Sequence, residues 1–168
     1  MSRIPGAVLT VSDRASTGAY TDTSGPLGVA LLAEHGVDAE LSVVPDDPAE
    51  IRRAIGSAIK GGARIVLTTG GTGVAARDVT PQVTSELLDA SLPGVVEEIR
   101  RRGAEHVPTA VLSRAEAGIV RLKTWPAAFV VNAPGSPGGV KDTVAVVGPL
   151  IAHVIDQLDG GDHASVRR

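Results

Sequence analysis

The hydrophobic residues of this chain fall into short, β-branched runs that alternate with segments of helical periodicity. The clearest runs cover residues 7–11, 41–44, 65–69 and 129–132. Each run passes at once into polar or glycine-rich residues, as expected for strands that are buried on both faces of a parallel sheet. The pattern predicts a single three-layer α/β/α domain with a mostly parallel sheet over residues 1–160, followed by a flexible C-terminal tail over residues 161–168.

The helices predicted between these runs have recognisable starts. Asp47 precedes a proline and a series of apolar residues at helical spacing, so it is a candidate cap. Residues 22–26 combine polar caps with a proline in the same way. Thr80 and Pro81 form a third start, with Thr80 as the expected cap and Pro81 in the first turn.

The second half of the chain is less regular. Residues 109–114 are interpreted as a short helix and residues 118–122 as a strand. The last helical stripe begins after Ser136 and contains Pro149, which predicts either a kink or two abutting helices.

Composition narrows the possible functions. The chain has 168 residues, a formal net charge of −3 and one residue each of Phe, Trp and Tyr. It therefore lacks the basic surplus of a nucleic-acid binder and the aromatic residues of a base-stacking surface. There is no cysteine, which excludes disulfides, thiolate catalysis and zinc–sulfur sites. We see neither a signal peptide nor a run of transmembrane length, and we expect a cytoplasmic protein with no nucleic-acid or membrane partner.

Polar and glycine-rich loops follow the predicted strands. They cover residues 12–18, 45–47, 69–78 and 132–139. The ends of parallel strands meet at one edge of the sheet, where a ligand-binding crevice forms. In the loop after residue 69, glycines allow a sharp turn and close approach of an anion to backbone N–H groups, and threonines add hydroxyls.

Two familiar nucleotide motifs do not fit this loop. A Walker A loop requires Lys-Ser or Lys-Thr after its glycines, but Arg77 and Asp78 stand there. The spacing Gly71-x-Gly73-x-x-Ala76 matches the dinucleotide fingerprint formally. That fingerprint needs a helix starting within the glycines, whereas Pro81 delays the helix here.

Carboxylates at the same sheet edge are candidate metal ligands. Asp46 and Asp78 follow two different strands and precede helix starts, and such a pair beside a phosphate-binding loop could hold Mg²⁺. The alternatives are structural: Asp46 or Asp47 could only cap a helix, and Asp78 could pair with Arg77 or with Arg14. The four histidines show no metal-ligand spacing.

These segments resemble the MogA/MoaB-type molybdenum cofactor biosynthesis family. The main match is the run from Thr68 to Gly73 followed by the residues Arg77 to Pro81. Further matches occur in the family's order and cover nearly the whole chain, at residues 12–16, 24–26, 45–47, 93–94, 107–114 and 132–137.

The resemblance implies a Rossmann-like, molybdopterin-binding fold, usually assembled as a homotrimer. It also implies transfer of AMP from ATP to the terminal phosphate of molybdopterin, with Mg²⁺, and delivery of the product to a separate molybdenum-insertion protein. Asp46 and Asp78 match the aspartates tied to catalysis and become the predicted metal ligands. The predicted substrate- and nucleotide-binding residues are Ser12, Thr69, Gly70, Gly71, Thr72, Gly73, Ser113, Asn132, Pro134, Gly135 and Ser136.

One departure from the family concerns the turn after residue 132. Gly138 and Gly139 follow Pro137 where many relatives have a lysine, so one possible phosphate contact is missing. The alternative function is a non-catalytic paralogue that binds and carries molybdopterin. The presence of both aspartates favours the enzyme, since a carrier has less need of two metal-binding carboxylates.

Overall fold

A computed structural model of the chain describes residues 3–161; the predicted tail lies outside them except for its first residue. The strands are Ile4–Val11 (β1), Val37–Val44 (β2), Ile65–Thr69 (β3), Ala90–Ser91 (β4), Ala117–Val120 (β5) and Ala128–Ala133 (β6). The helices are Asp13–Ser16 (α1), Ser24–Glu34 (α2), Pro48–Lys60 (α3), Thr80–Leu87 (α4), Pro93–Ala104 (α5) and Pro137–Leu158 (α6), with a 3₁₀ helix at Pro108–Leu112.

The strands form one six-stranded sheet in the order β2-β1-β3-β6-β5-β4. Strand β3 lies at the centre, where Leu67 pairs with Val8 of β1 and with Val131 of β6. The four strands from β2 to β6 in this order run parallel, and β5 is antiparallel to both of its neighbours. The predicted α/β architecture with a mostly parallel sheet is confirmed.

Helices cover both faces of the sheet and create two hydrophobic cores. Alternate residues of β3 point to opposite faces, so Leu67 joins the core beneath α2, α5 and α6, whereas Val66 joins the core beneath α3 and α4. Both residues are fully buried. This burial explains why the strand appears in the sequence as a continuous apolar run rather than an alternating one.

The predicted helix starts have different outcomes. Asp47 caps α3, because its carboxylate accepts the N–H groups of Ala49 and Glu50 at 2.9 and 3.0 Å. The prediction that Thr80 caps α4 is wrong. Thr80 is the first helical residue, and the preceding residue, Val79, makes no side-chain cap.

Helix α6 runs without a break from Pro137 to Leu158 and contains Pro149, so the prediction of two abutting helices is wrong. Its length of 22 residues and mean hydropathy of 1.3 satisfy the criteria for a membrane span, contrary to the sequence-based expectation. Here Val144, Val147 and Ile151 pack into the core below the sheet. A buried core helix satisfies the same criteria, so length and composition alone do not indicate a membrane segment.

Candidate functional site

The loops that follow β1, β2, β3 and β6 meet at one edge of the sheet, as the sequence analysis predicts. Asp13 and Asp46 join two of these loops through a reciprocal pair of hydrogen bonds. The carboxylate of Asp46 accepts the N–H of Asp13 at 2.9 Å, and the carboxylate of Asp13 accepts the N–H of Asp46 at 3.0 Å. Asp13 also forms an ion pair with Arg77, and the guanidinium of Arg14 lies 5.3 Å from the ring centroid of Tyr20. Within residues 3–161, neither arginine forms an ion pair with Asp78.

The glycine loop, defined as Gly70 to Gly73, begins with two residues of positive φ. Gly70 has φ +105° and Gly71 has φ +65°. The N–H of Gly70 donates to the carbonyl of Ala133 at 3.1 Å. A Cβ atom on Gly70 would lie 2.3 Å from the carbonyl oxygen of Val11. Glycine is therefore required at this position both by the backbone angle and by the close approach of β1.

Backbone N–H groups of the glycine loop are available to a ligand. Gly71, Thr72 and Gly73 have no hydrogen-bond acceptor for their N–H groups within the described residues. Successive N–H groups of this kind form an anion-binding concavity when no protein acceptor satisfies them. The N–H groups of this loop can therefore donate to the phosphate oxygens of a ligand, as the sequence analysis expects.

The two predicted catalytic carboxylates both lie beside the glycine loop. A Cβ atom on Gly71 would be 3.4 Å from Oδ1 of Asp46, and one on Gly73 would be 2.8 Å from Oδ2 of Asp78. Asp78 also accepts the N–H of Ala75 at 2.9 Å, which closes the turn after the loop. The structure thus brings Asp46 and Asp78 to the same loop, although they are 32 residues apart in the sequence.

Arg114 fixes the glycine loop from outside the sheet. Its guanidinium donates to the carbonyl of Gly73 at 2.7 Å and to the carbonyl of Asp78, and its N–H donates to the carbonyl of Thr72 at 2.9 Å. The sequence analysis does not predict these contacts. Because this guanidinium is engaged with backbone carbonyls, its role is to shape the loop.

Among the predicted binding residues, Ser12, Thr69 and Asn132 have side chains that hydrogen-bond to groups of the protein. Ser12 caps α1 by accepting the N–H of Ala15 at 3.2 Å. Thr69 is buried and donates to the carbonyl of Pro134 at 3.0 Å. Asn132 is fully buried, and its side chain bonds to groups of three neighbouring segments. These hydrogen bonds hold the three side chains within the protein, and the expected role of the three residues in substrate binding stays a prediction.

Asn132 connects β6 to two neighbouring elements. Its amide group donates to the hydroxyls of Thr68 and Thr84, both at 2.9 Å, and its side-chain oxygen accepts the N–H of Glu116 at 3.0 Å. With these bonds the buried amide is satisfied by protein groups.

The turn after β6 lies against the glycine loop. A Cβ atom on Gly135 would be 3.2 Å from the α-carbon of Gly70, and the carbonyl of Gly135 accepts the hydroxyl of Ser24 at 2.8 Å. Ser136 caps α6 by accepting the N–H of Gly139 at 3.1 Å. The predicted residues Pro134, Gly135 and Ser136 therefore form one wall of the site.

A cavity of about 820 Å³ lies beside these loops. One wall contains the predicted residues Gly71, Thr72, Gly73, Asp78, Ser113, Pro134, Gly135 and Ser136. The opposite wall combines apolar side chains of α5 and the 3₁₀ helix with the charged side chains Arg100, Arg102, Lys141 and Asp142. This volume is typical of a small-molecule site. Asp46 is not among the residues that line the cavity; it lies next to Gly71.

Comparison with known proteins agrees with this geometry. A family model described as a probable molybdopterin binding domain matches residues 7–153. The chain belongs to this family. It is 36% identical over 164 residues to a molybdopterin adenylyltransferase of Helicobacter pylori, covering 95% of this chain and 90% of that protein.

Two further comparisons concern the extent of the molybdopterin-binding domain. A molybdenum cofactor biosynthesis bifunctional protein of Synechococcus elongatus is 35% identical over 161 residues, which cover 95% of this chain but only 49% of that protein. A crystal structure of a molybdopterin biosynthesis protein from Mycobacterium abscessus superimposes with a TM-score of 0.85 at 42% identity, covering 93% of this chain and 96% of that one. The fold is thus that of MogA/MoaB-type proteins.

Three cationic side chains of this molybdopterin-binding domain, Arg100, Arg102 and Lys141, line the cavity. Arg102 forms an ion pair with Asp142 at 3.3 Å, and Arg100 donates to the carbonyl of Ser113 at 3.2 Å. Lys141 lines the cavity without a protein partner in the described part of the chain. It lies in the first turns of α6, four residues after Pro137.

The neighbouring Arg101 belongs to a separate surface network. It pairs with Glu98 at 2.7 Å and with Glu105 at 2.6 Å on the outer side of α5. The hydrogen bond from Arg101 lowers the pKa of Glu98 below its usual value. Arg101 therefore belongs to the solvated surface of α5, while Arg102 contributes to the cavity.

The donor set of the domain fits a weakly coordinated Mg²⁺. Residues 3–161 contain no group of three or more His, Asp or Glu side chains that could hold a metal by itself. Mg²⁺ is usually bound by one or two carboxylates together with substrate phosphates rather than by an all-protein cage. Asp46 and Asp78, both beside the glycine loop, fit that arrangement.

Proposed function

We propose that this chain is a molybdopterin adenylyltransferase. The oxygen of the terminal phosphate of molybdopterin attacks the α-phosphorus of ATP, a new P–O bond forms, and the bond from the α-phosphorus to the bridging oxygen breaks. The products are adenylylated molybdopterin and pyrophosphate. The near full-length similarity to the Helicobacter pylori protein, which is named a molybdopterin adenylyltransferase, supports this assignment.

The observation that carries the proposal is the position of two carboxylates at one phosphate-binding loop. Asp46 lies beside Gly71 and Asp78 beside Gly73, and the intervening N–H groups have no acceptor among the described residues. Phosphoryl transfer depends on positioning and on electrostatic stabilisation rather than on a covalent protein nucleophile. The absence of cysteine from the sequence is consistent with such a mechanism.

Each part of the site has a role in this reaction. The N–H groups of the glycine loop bind phosphate oxygens, and Lys141 and Arg102 attract the anionic substrate to the cavity. Apolar residues on the opposite wall, including Val107 and Leu112, contact the pterin ring. Asp46 and Asp78 would hold Mg²⁺, which when bound neutralises charge that develops on the phosphate oxygens.

The oligomeric state, the cellular location and the protein partner are also part of the proposal. We infer that the protein works as a homotrimer in the cytoplasm and that a separate molybdenum-insertion protein takes its product. These inferences follow from the family resemblance. Analytical ultracentrifugation of the purified chain tests the trimer directly, because a monomer or dimer would contradict it.

Product formation tests the activity. Purified protein is incubated with molybdopterin, ATP and Mg²⁺, and adenylylated pterin and pyrophosphate are measured together. Equal amounts of both products, lost when Mg²⁺ is chelated, are expected. Tight binding of molybdopterin without pyrophosphate release would instead identify a carrier and would overturn the proposal.

A further inference from the structure

Thr80 carries a buried hydroxyl that has no hydrogen-bond partner. Its Oγ1 is the one side-chain polar atom of this kind within residues 3–161, and the residue is fully buried at 0% exposure. A buried hydroxyl without a partner destabilises a folded protein. Valine has a similar shape and would avoid this penalty. The hydroxyl is therefore expected to form its hydrogen bond in a different state of the protein, such as the ligand-bound one.

The unpaired hydroxyl faces the glycine loop. A Cβ atom on Gly71 would lie 2.4 Å from Oγ1 of Thr80 and 3.4 Å from Oδ1 of Asp46. Both oxygen atoms therefore lie beside the same glycine. The N–H of Thr80 donates to the carbonyl of Gly71 at 3.2 Å, which holds the start of α4 against the loop.

Asp46 presents a matching free acceptor. Its Oδ2 accepts the N–H of Asp13 at 2.9 Å, whereas no donor reaches Oδ1 in the part of the chain that the structure describes. The unpaired hydroxyl of Thr80 and the unpaired Oδ1 of Asp46 thus both lie beside Gly71. The small size of Gly71 and its positive φ leave room for the two groups to approach.

We propose that Thr80 is a positioning residue that acts through Asp46. When the site is occupied, the hydroxyl of Thr80 donates a hydrogen bond to Oδ1 of Asp46 and holds the carboxylate in its binding orientation. Carboxylates that bind metals are generally oriented by such hydrogen bonds, and loss of one typically lowers metal affinity ten- to a hundredfold. The inference rests on the proposed function, because it assumes that Asp46 serves a Mg²⁺–phosphate ligand.

Thr84 provides a matched control on the same helix. It is also fully buried and lies one turn after Thr80, but its hydroxyl accepts the amide of Asn132 at 2.9 Å. Thr80→Val therefore removes an unpaired hydroxyl, and Thr84→Val removes a paired one. Thr80→Ser keeps the hydroxyl and should behave like the wild-type protein.

The first measurement is the thermal midpoint of each variant without ligands. Thr80→Val should match or exceed the wild-type midpoint, because no hydrogen bond is lost. Thr84→Val should lower it, because the amide of Asn132 loses a partner. A large drop in the midpoint of Thr80→Val alone would show that the hydroxyl already has a structural partner and would overturn the proposal.

The second measurement is the Mg²⁺ concentration at which a fixed amount of ATP produces half of its maximal shift in thermal midpoint. We expect this concentration to rise about tenfold or more in Thr80→Val. It should stay at the wild-type value in Thr80→Ser and Thr84→Val. A wild-type value in Thr80→Val would overturn the inference and leave the proposed function intact, whereas a wild-type protein with no Mg²⁺-dependent shift would overturn both.

A double-mutant cycle tests whether Thr80 affects Mg²⁺ binding through Asp46. If Thr80 acts through Asp46, adding Thr80→Val to Asp46→Asn should change the Mg²⁺ dependence no further. An effect of equal size in the Asp46→Asn background would show that Thr80 acts independently of Asp46. That result would overturn the proposed role.

Discussion

Asp13 and Asp46 exchange backbone hydrogen bonds through their side chains, so each aspartate orients the other. The two bonds, at 2.9 and 3.0 Å, connect the loop after β1 to the loop after β2. Two carboxylates near one another repel when no donor lies between them. Here the N–H groups of the two residues supply those donors, and the carboxylate of Asp46 is left with one oxygen free beside the glycine loop.

Asp13→Ala should impair catalysis more than stability. The substitution removes the acceptor for the N–H of Asp46 and the partner of Arg77. We expect kcat/KM to fall about tenfold and the free energy of unfolding to fall by about 1 kcal/mol, the usual contribution of one hydrogen bond. Steady-state kinetics and urea unfolding measure the two effects. Full activity in this variant would show that Asp46 needs no support from Asp13.

Asp47→Ala is the matched control for substitutions at Asp46. It tests which of these two neighbouring carboxylates is required for activity. Asp47 caps α3 through Ala49 and Glu50, and within the described residues its carboxylate makes no hydrogen bond to the glycine loop. We expect a loss of about 1 kcal/mol in stability from the missing cap and a turnover close to wild type. If Asp47→Ala lost activity and Asp46→Asn kept it, the assignment of Asp46 would be reversed.

Asp78→Asn should abolish AMP transfer while leaving the loop folded. The asparagine oxygen can still accept the N–H of Ala75, which Asp78 accepts at 2.9 Å, so the turn is retained. The negative charge beside Gly73 is lost. We expect turnover to fall roughly a hundredfold or more, with binding of molybdopterin changed only a few-fold. Unchanged turnover would remove Asp78 from the proposed metal site.

Strands and loop positions were predictable because their causes are local. The apolar run at Ile65–Thr69 is continuous because both faces of β3 are buried. Asp47 stands directly before a proline and a series of apolar residues at helical spacing, which marks the start of α3. The convergence of four loops follows from the parallel sheet alone. The proximity of Asp46 and Asp78 to one loop follows from the same rule.

Contacts between distant segments could not be predicted from the sequence. Arg114 bonds to the carbonyls of Gly73 and Asp78, 41 and 36 residues away. No spacing in the sequence indicates which carbonyls a guanidinium will reach. Thr80 illustrates the same limit, since its residue type suggests a cap and only the packing against Gly71 shows that its hydroxyl is unpaired.

Lys141→Ala should weaken substrate binding selectively. Lys141 lines the cavity and has no partner among residues 3–161, so its charge is available to a substrate phosphate. Because the side chain is exposed, solvent screens the interaction, and we expect KM for molybdopterin to rise about fivefold with kcat unchanged. Lys60→Ala, at the end of α3, is the control and should leave KM unchanged. Equal effects of the two substitutions would indicate a general charge effect.

Gly70→Ala should destabilise the whole fold. The residue has φ +105°, and a Cβ atom would lie 2.3 Å from the carbonyl oxygen of Val11. We expect a loss of at least about 2 kcal/mol in unfolding free energy, measured by urea denaturation. Gly138→Ala is the control for stability, because its Cβ atom would meet nothing within 4 Å. A neutral Gly70→Ala would show that the β1–β3 junction can relax.

Asn132→Ala distinguishes a positioning residue from a substrate contact. The substitution deprives the hydroxyls of Thr68 and Thr84 and the N–H of Glu116 of their partner at a fully buried position. We expect the unfolding free energy to fall by about 3 kcal/mol, with KM for molybdopterin within a few-fold of wild type at a temperature where the variant is folded. If stability were unchanged and KM rose strongly, Asn132 would contact the substrate directly, and its buried network would have to open on binding.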